Sequence, residues 1–179
     1  ARTRWGQLVG ASTARRLEES RKTGRGSWET FDSCLMFLDI ANFATLTRST
    51  PVREVIDVLN RLFSEVVVRI EESGGEVITF MGDGLAAKWE IQGVADSDPH
   101  RLVLRTALDV LTKLDGLNAD GAFGPRTLGI RIGLSSGETT LALIGSEGRQ
   151  QMTLYGEAVN LAARLEAVGK DEDVRSRLV

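Results

Sequence analysis

One aspartate stands where a carboxylate is costly to keep, and a second sits on a tight turn. Asp39 closes a continuous apolar run, Ser33 to Ile40, of the kind that forms a buried central strand. Asp83 lies in Gly82-Asp83-Gly84 between two short β runs, Glu76–Met81 and Leu85–Glu90, where an Asp-Gly pair signals a tight hairpin. In a sheet of this order, neighbouring strands can bring the two carboxylates together. Acidic groups held that close repel unless cations sit between them, and Mg²⁺ held by one or two carboxylates plus substrate phosphates is the usual arrangement. The spacing is equally compatible with Asp39 capping the following turn and Asp83 serving only the hairpin.

The elements that must position these groups follow from periodicity. From Pro51 onward Val52, Val55, Ile56, Leu59, Leu62, Phe63, Val66 and Ile70 keep the helical period, and Ser73-Gly74-Gly75 ends that helix. Asp98-Pro99 opens another, with aspartate as N-cap and proline at the first helical position. Gly116 to Arg126 is expected as a loop. Leu128–Leu134 and Thr139–Ile144 are expected as a hairpin through Ser135-Ser136-Gly137, before a last helix over Ala158–Val168. The order β-α-β-β-α-β-β-α predicts an α/β (α+β) fold: a ferredoxin-like sandwich, a mixed sheet with helices on one face.

Composition narrows the chemistry. With 179 residues, 42% of them hydrophobic and 26% charged, the chain fits one globular domain. A single cysteine, Cys34, excludes an internal disulfide and a Cys-rich zinc site, and its apolar neighbours mark a buried structural thiol. A single histidine, His100, leaves no multi-His metal site or hydrolytic triad, so hard-cation chemistry on carboxylates is what remains. The net charge of −3 lacks the positive field that nucleic-acid binding needs, and no apolar run approaches a membrane span of about 20 residues. Residues 1–30 carry seven basic residues against three glutamates and are expected as a helical arm and linker ahead of a domain over 31–179. The start Ala1-Arg2-Thr3-Arg4-Trp5 lacks the apolar core of a signal peptide, so a cytoplasmic location is expected.

Four blocks, in this order, resemble class III nucleotidyl cyclases: Phe37-Leu38-Asp39-Ile40-Ala41-Asn42-Phe43, Gly74 to Gly84, Arg131 to Gly137, and Tyr155 to Glu166. Trp5-Gly6-Gln7-Leu8-Val9 also looks like the segment that precedes many bacterial members. The resemblance implies a homodimer with catalytic sites at the subunit interface, turning a nucleoside triphosphate into a 3′,5′-cyclic monophosphate and pyrophosphate. It makes Asp39 and Asp83, with the Ile40 carbonyl, the ligands of two divalent cations, Mg²⁺ or Mn²⁺, able to acidify the ribose 3′-hydroxyl and neutralise the leaving group. It makes Ile40-Ala41-Asn42-Phe43 a phosphate-cradling turn and Arg131 a phosphate-binding arginine. Asn42 stands where the family usually has glycine, and asparagine tolerates left-handed backbone next best. Asn160 and Arg164, four apart on one helical face, would orient the ribose and stabilise charge on the α-phosphoryl group across the dimer interface.

The base pocket departs from the family. Adenylate cyclases carry lysine where this chain has Thr79, and aspartate or threonine at Thr153; guanylate cyclases typically have glutamate at the first position. Neither purine anchor is complete, and the chain looks compatible with the bacterial antiphage (Pycsar) pyrimidine cyclases. The expectation is UTP before CTP, with ATP next and GTP last, the product being cyclic UMP for antiphage signalling. The chain also stops at Val179, before the late strands that bring a triphosphate-binding lysine in the family, so the carboxyl-terminal part of the domain is expected to be missing. Thr79, Asn42 and that missing end also fit a second reading, a degenerate cyclase-like domain that binds a nucleotide or dimerises as a regulatory module.

Overall fold

The structure is a computed structural model that describes residues 28–91, 98–146, 149–168 and 177–178, with Thr13, Arg16, Glu19 and Ser20 of the arm. The segment Trp5–Val9 lies outside the described residues. In chain order the elements are β1 (Trp28–Ile40), α1 (Phe43–Ser49), α2 (Val52–Glu72), β2 (Glu76–Met81) and β3 (Gly84–Glu90). They continue with α3 (Pro99–Ala119), β4 (Ile130–Ser146), β5 (Arg149–Tyr155), α4 (Glu157–Ala167) and β6 (Arg177–Leu178). The strands form one sheet ordered β2-β3-β1-β4-β5, antiparallel throughout this path, with β6 running parallel beside the start of β4. No helix among the described residues is long and apolar enough to cross a membrane.

β1 is central because both its faces are apolar. Cys34, Met36, Leu38 and Ile40 pack with Val58, Leu62 and Val66 of α2 and Val103, Ala107 and Val110 of α3. Leu35 and Phe37, pointing the other way, pack with Ala158, Val159 and Ala162 of α4. Helices therefore cover both faces, not one as expected. A run apolar at every position must be buried from both sides, and one helical layer buries only one. The sheet also curls: a bulge between Val77 and Thr79 turns Ile78 into a cluster with Leu141 and Met152, bringing the two edge strands β2 and β5 into contact.

Two expected boundaries move. Ser135-Ser136-Gly137 is not a turn, because β4 runs unbroken from Ile130 to Ser146 and pairs with β1 from Ile130 to Ala142, Leu35 opposite Ser135 and Ser33 opposite Gly137. The polar residues are satisfied in place: the Ser33 hydroxyl donates to Thr139 Oγ1 at 2.9 Å, and the Ser135 hydroxyl to the Ala158 carbonyl at 2.6 Å. The hairpin partner of β4 is β5, one stretch later. Gly116 lies inside α3, which runs on to Ala119, and the Asn118 side chain then ties Leu128 through both its amide and its carbonyl. The Asp98 cap is as expected, accepting from the His100 amide at 3.0 Å with Pro99 behind it. Cys34 is buried, and burial first, then the Asp98 charge, pushes its thiol up to about 11, the inert state expected of it.

β1 begins at Trp28, inside the segment expected as linker, because Trp28, Thr30 and Phe31 extend the ladder against Ala142, Thr140 and Thr139. On the face that α4 shares, the arm meets the sheet through charge. Lys88, 3% exposed, pairs with Glu76 at 3.0 Å and with Glu90, while Arg16 pairs with Glu90 and Thr13 hydrogen-bonds Glu76. Phe31 lies under both cations, its ring centre 5.0 Å from Lys88 and 5.6 Å from Arg16.

Candidate active site

Asp39 ends β1 opposite Gly84 of β3 and Arg131 of β4. The Ile40 amide donates to the Asp83 carbonyl at 3.2 Å, which fixes the β2–β3 turn against the end of β1 and puts the Asp83 side chain within hydrogen-bonding reach of Asp39. Gly84 allows this approach: a Cβ there would stand 2.4 Å from the Leu38 carbonyl oxygen. The two carboxylates singled out from the sequence are thus neighbours.

They share their surroundings with two further charges. Arg131, itself buried, donates from Nη2 to Asp39 Oδ2 at 2.7 Å and from Nε to Glu166 Oε1 at 3.3 Å. Burial pushes the Asp39 carboxyl upward. Hydrogen bonding with Asp83, Arg131 and Glu166, together with the Arg131 charge, outweighs this and holds it below the usual carboxylate range. Burial pulls Arg131 down, and Asp39 and Glu166 more than reverse it. Two carboxylates therefore hold one guanidinium while a third, that of Asp83, meets Asp39, an all-oxygen donor set of the kind a hard cation takes. Among the described residues no three His, Cys, Asp or Glu side chains are placed to hold a metal ion by themselves. The donor set still fits Mg²⁺ or Mn²⁺, which complete their shells with backbone, water and substrate phosphate oxygens.

The turn after β1 is narrower as a phosphate cradle than expected. The Ile40 and Ala41 amides donate to Asp83 and Gly129 carbonyls, so the main chain commits them to the sheet. Asn42 and Phe43 remain, at the start of α1, where first-turn amides have no intrahelical partner. Asn42 adopts φ 59° and ψ 29°, the one described non-glycine residue with positive φ, and its carbonyl accepts from Thr45 and Leu46 to begin the helix. The left-handed geometry required of a family glycine is thus taken up by asparagine.

α4 carries Asn160 and Arg164 on its exposed face, away from Ala158, Val159 and Ala162, which bury against the sheet. The helix sits unusually close to β4. A Cβ on Gly133 would lie 2.2 Å from the Ala162 carbonyl oxygen and 2.4 Å from the Glu166 amide, so only glycine admits this contact. That approach delivers Glu166 to Arg131. Glu166 closes the fourth matched block, but spacing alone assigned it no role, because nothing local in sequence shows which strand a helix end will touch.

Thr79 and Thr153 are both partly buried, next in sequence to Ile78 and Met152, which share one cluster. They flank the contact between the two edge strands. Thr79 is paired with Ala86 and Thr153 with Ala142, so each threonine's cross-strand partner is small and apolar.

Comparison with known proteins identifies the family. A family model described as the adenylate and guanylate cyclase catalytic domain matches residues 28–176. Adenylate cyclase 1 of Rhizobium meliloti (strain 1021) is 34% identical over 159 residues, 87% of this chain and 23% of that protein. Adenylate cyclase type 10 of Mus musculus is 28% identical over 144 residues, 76% of this chain and 9% of that protein. The chain therefore spans less than a quarter of the length of either relative. Among solved structures, a bacterial light-regulated adenylyl cyclase is similar at TM-score 0.71 and 33% identity, over 83% of this chain and 75% of that one. The guanylyl cyclase Cya2 is similar at TM-score 0.70 and 25% identity, over 79% of this chain and 72% of that one.

Proposed function

Because the chain belongs to the adenylate and guanylate cyclase catalytic domain family, we propose that it converts a nucleoside triphosphate into a 3′,5′-cyclic monophosphate and pyrophosphate, working as a homodimer. The observation that carries this reading is the meeting of Asp39 with Asp83 at the strand ends. Asp39 and Asp83, with the Ile40 carbonyl, are the residues that would hold two divalent cations. Bound there, such ions supply acidification of the ribose 3′-hydroxyl and neutralisation of the leaving pyrophosphate. The Asn42 and Phe43 amides and the Arg131 guanidinium take phosphate oxygens. Asn160 of one protomer orients the ribose bound by the other, and Arg164 meets the charge that grows on the α-phosphoryl oxygens. Their exposed placement on α4 leaves both side chains available to a second copy.

For the base we propose a pyrimidine, UTP before CTP, which makes cyclic UMP the product and antiphage signalling the role. Thr79 and Thr153 offer short hydroxyls that neither demand a purine edge nor reject a smaller ring. A second reading, ATP, is favoured by the adenylate cyclases among the relatives. Incubating the purified protein with equimolar ATP, GTP, CTP and UTP and either Mg²⁺ or Mn²⁺, and resolving cyclic products by mass, decides between them. Dominant cyclic AMP or cyclic GMP overturns the pyrimidine assignment, and no cyclic product of any kind overturns the cyclase assignment.

A further inference from the structure

Glu166 is tied into the metal end without being among its expected ligands. Its carboxylate is nearly covered, with 11% of the side chain exposed, and it takes Nε of Arg131, while Nη2 of the same guanidinium goes to Asp39. The two carboxylates hold different nitrogens of one planar group, so Glu166 fixes the rotation of the plane and Asp39 takes what then faces it. The main chains allow no slack here, since β4 and α4 touch at Gly133, two residues from Arg131. A divalent cation binding at Asp39 competes with Arg131 for the same oxygen. If Glu166 were neutral, Arg131 would lean on Asp39 alone and compete harder.

We propose that Glu166 is a positioning residue: by taking Nε it limits Arg131 to a single nitrogen on Asp39, so that a cation can take the carboxylate, and it keeps Nη2 turned toward the triphosphate once that happens. Glu166 also links the metal end to α4, whose outer face carries Asn160 and Arg164. This inference rests on the cyclase reading above, in which Asp39 is a metal ligand.

The test is a double-mutant cycle read by Mn²⁺ binding to the substrate-free protein, using electron paramagnetic resonance to count free Mn²⁺. Glu166→Gln weakens Mn²⁺ binding by about threefold or more when Arg131 is present, and by less than about 1.5-fold in an Arg131→Gln background. Glu166→Asp, which keeps the charge, recovers at least half of the loss and serves as the readout if Glu166→Gln does not fold. In steady-state assays Glu166→Gln raises the triphosphate KM by about tenfold with kcat within about threefold of wild type, as loss of phosphate positioning requires. An equal loss of Mn²⁺ affinity in both backgrounds would mean that Glu166 acts through space by its charge alone, and overturns the proposal. So does an unchanged Mn²⁺ affinity in Glu166→Gln. Wild-type Mn²⁺ binding that Asp39→Asn does not weaken overturns the metal reading itself, which separates the two failures.

Discussion

Two charged clusters occupy the same face of the sheet at opposite ends of β1 and β3, and they differ in balance. At the arm end, Lys88 and Arg16 meet Glu76 and Glu90, with Glu29 at the rim, 3.6 Å from Arg16. At the other end Arg131 pairs with Asp39 and Glu166, and Asp83 meets Asp39, one cation among three carboxylates in the described residues. At the arm end each glutamate has a cation beside it, two cations for three carboxylates among the described residues, a pairing that holds structure. At the strand ends, two carboxylates meet each other as well as a guanidinium, and such an oxygen pair suits a cation from outside. Both groups are buried polar networks of similar make-up, so how the charges pair, more than burial, tells the site from the staple.

The largest test of that contrast removes a carboxylate from the Asp39 end. Asp39→Ala and Asp83→Ala each lower the rate of cyclic nucleotide formation by on the order of 10³-fold, with Mg²⁺ and with Mn²⁺, while Tm stays within a few degrees of wild type. Near-wild-type turnover in either variant removes the metal assignment.

The matching change at the arm end has the opposite signature. Lys88→Met leaves Glu76 and Glu90 with half their counter-charge inside the fold, and urea denaturation should show a loss of about 3 kcal/mol. Activity per folded molecule should change by no more than about twofold. A large fall in kcat with stability intact would place this cluster in the catalytic machinery and dissolve the contrast.

A third test asks whether the Asp39 end is completed by a second copy. Arg164→Ala should lower kcat by about 10²-fold, as loss of a transition-state charge donor does. Mixing it with Asp39→Ala protein should restore activity, since one of the two heterodimer sites is then intact. No recovery, with subunit exchange demonstrated by mass, would place the whole site within one chain.

The smallest effect is on acid stability. At Glu90, burial raises the carboxyl pKa and the Arg16 and Lys88 partners more than offset it, so it lies below the usual range, as Asp39 does. A carboxylate whose folded pKa lies below its unfolded value contributes stability above the unfolded value, roughly pH 4, and loses it as pH falls through the folded one. Tm should therefore decline below about pH 4. Glu90→Gln should flatten part of that decline, by about 4 °C or less, while saturating Mn²⁺ should delay only the part that belongs to Asp39. An identical acid profile in Glu90→Gln would show that the arm-end pairing adds nothing.

Legibility from sequence followed the range of the interaction. The β2–β3 hairpin around Asp83, the Asp98-Pro99 helix start and the long α2 helix are set by residues within a few positions of one another, and each was found. The left-handed position at Asn42 follows from the family glycine it replaces in the resemblance, and φ 59° agrees. The Ser135-Ser136-Gly137 turn failed because small polar residues signal a turn only when no strand partner satisfies them, and here β1 does. The Lys88 cluster went unnoticed. Its trace was present, as Lys88 and Glu90 alternate with apolar residues at the end of β3, but their partners lie on β2 and in the arm.

Sequence alone marked the central strand, the long helices and the β2–β3 hairpin, singled out Asp39 and Asp83 as a carboxylate pair, and put Asn160 and Arg164 on one helical face. Tertiary structure alone decided which charges surround those aspartates. Arg131 reaches Asp39 from 92 residues away because β1 and β4 pair in one register, and Glu166 reaches Arg131 because Gly133 lets two backbones touch. Periodicity carries the face a residue occupies but not the strand it will lie beside, so pairing register and close backbone approach are properties of the folded chain.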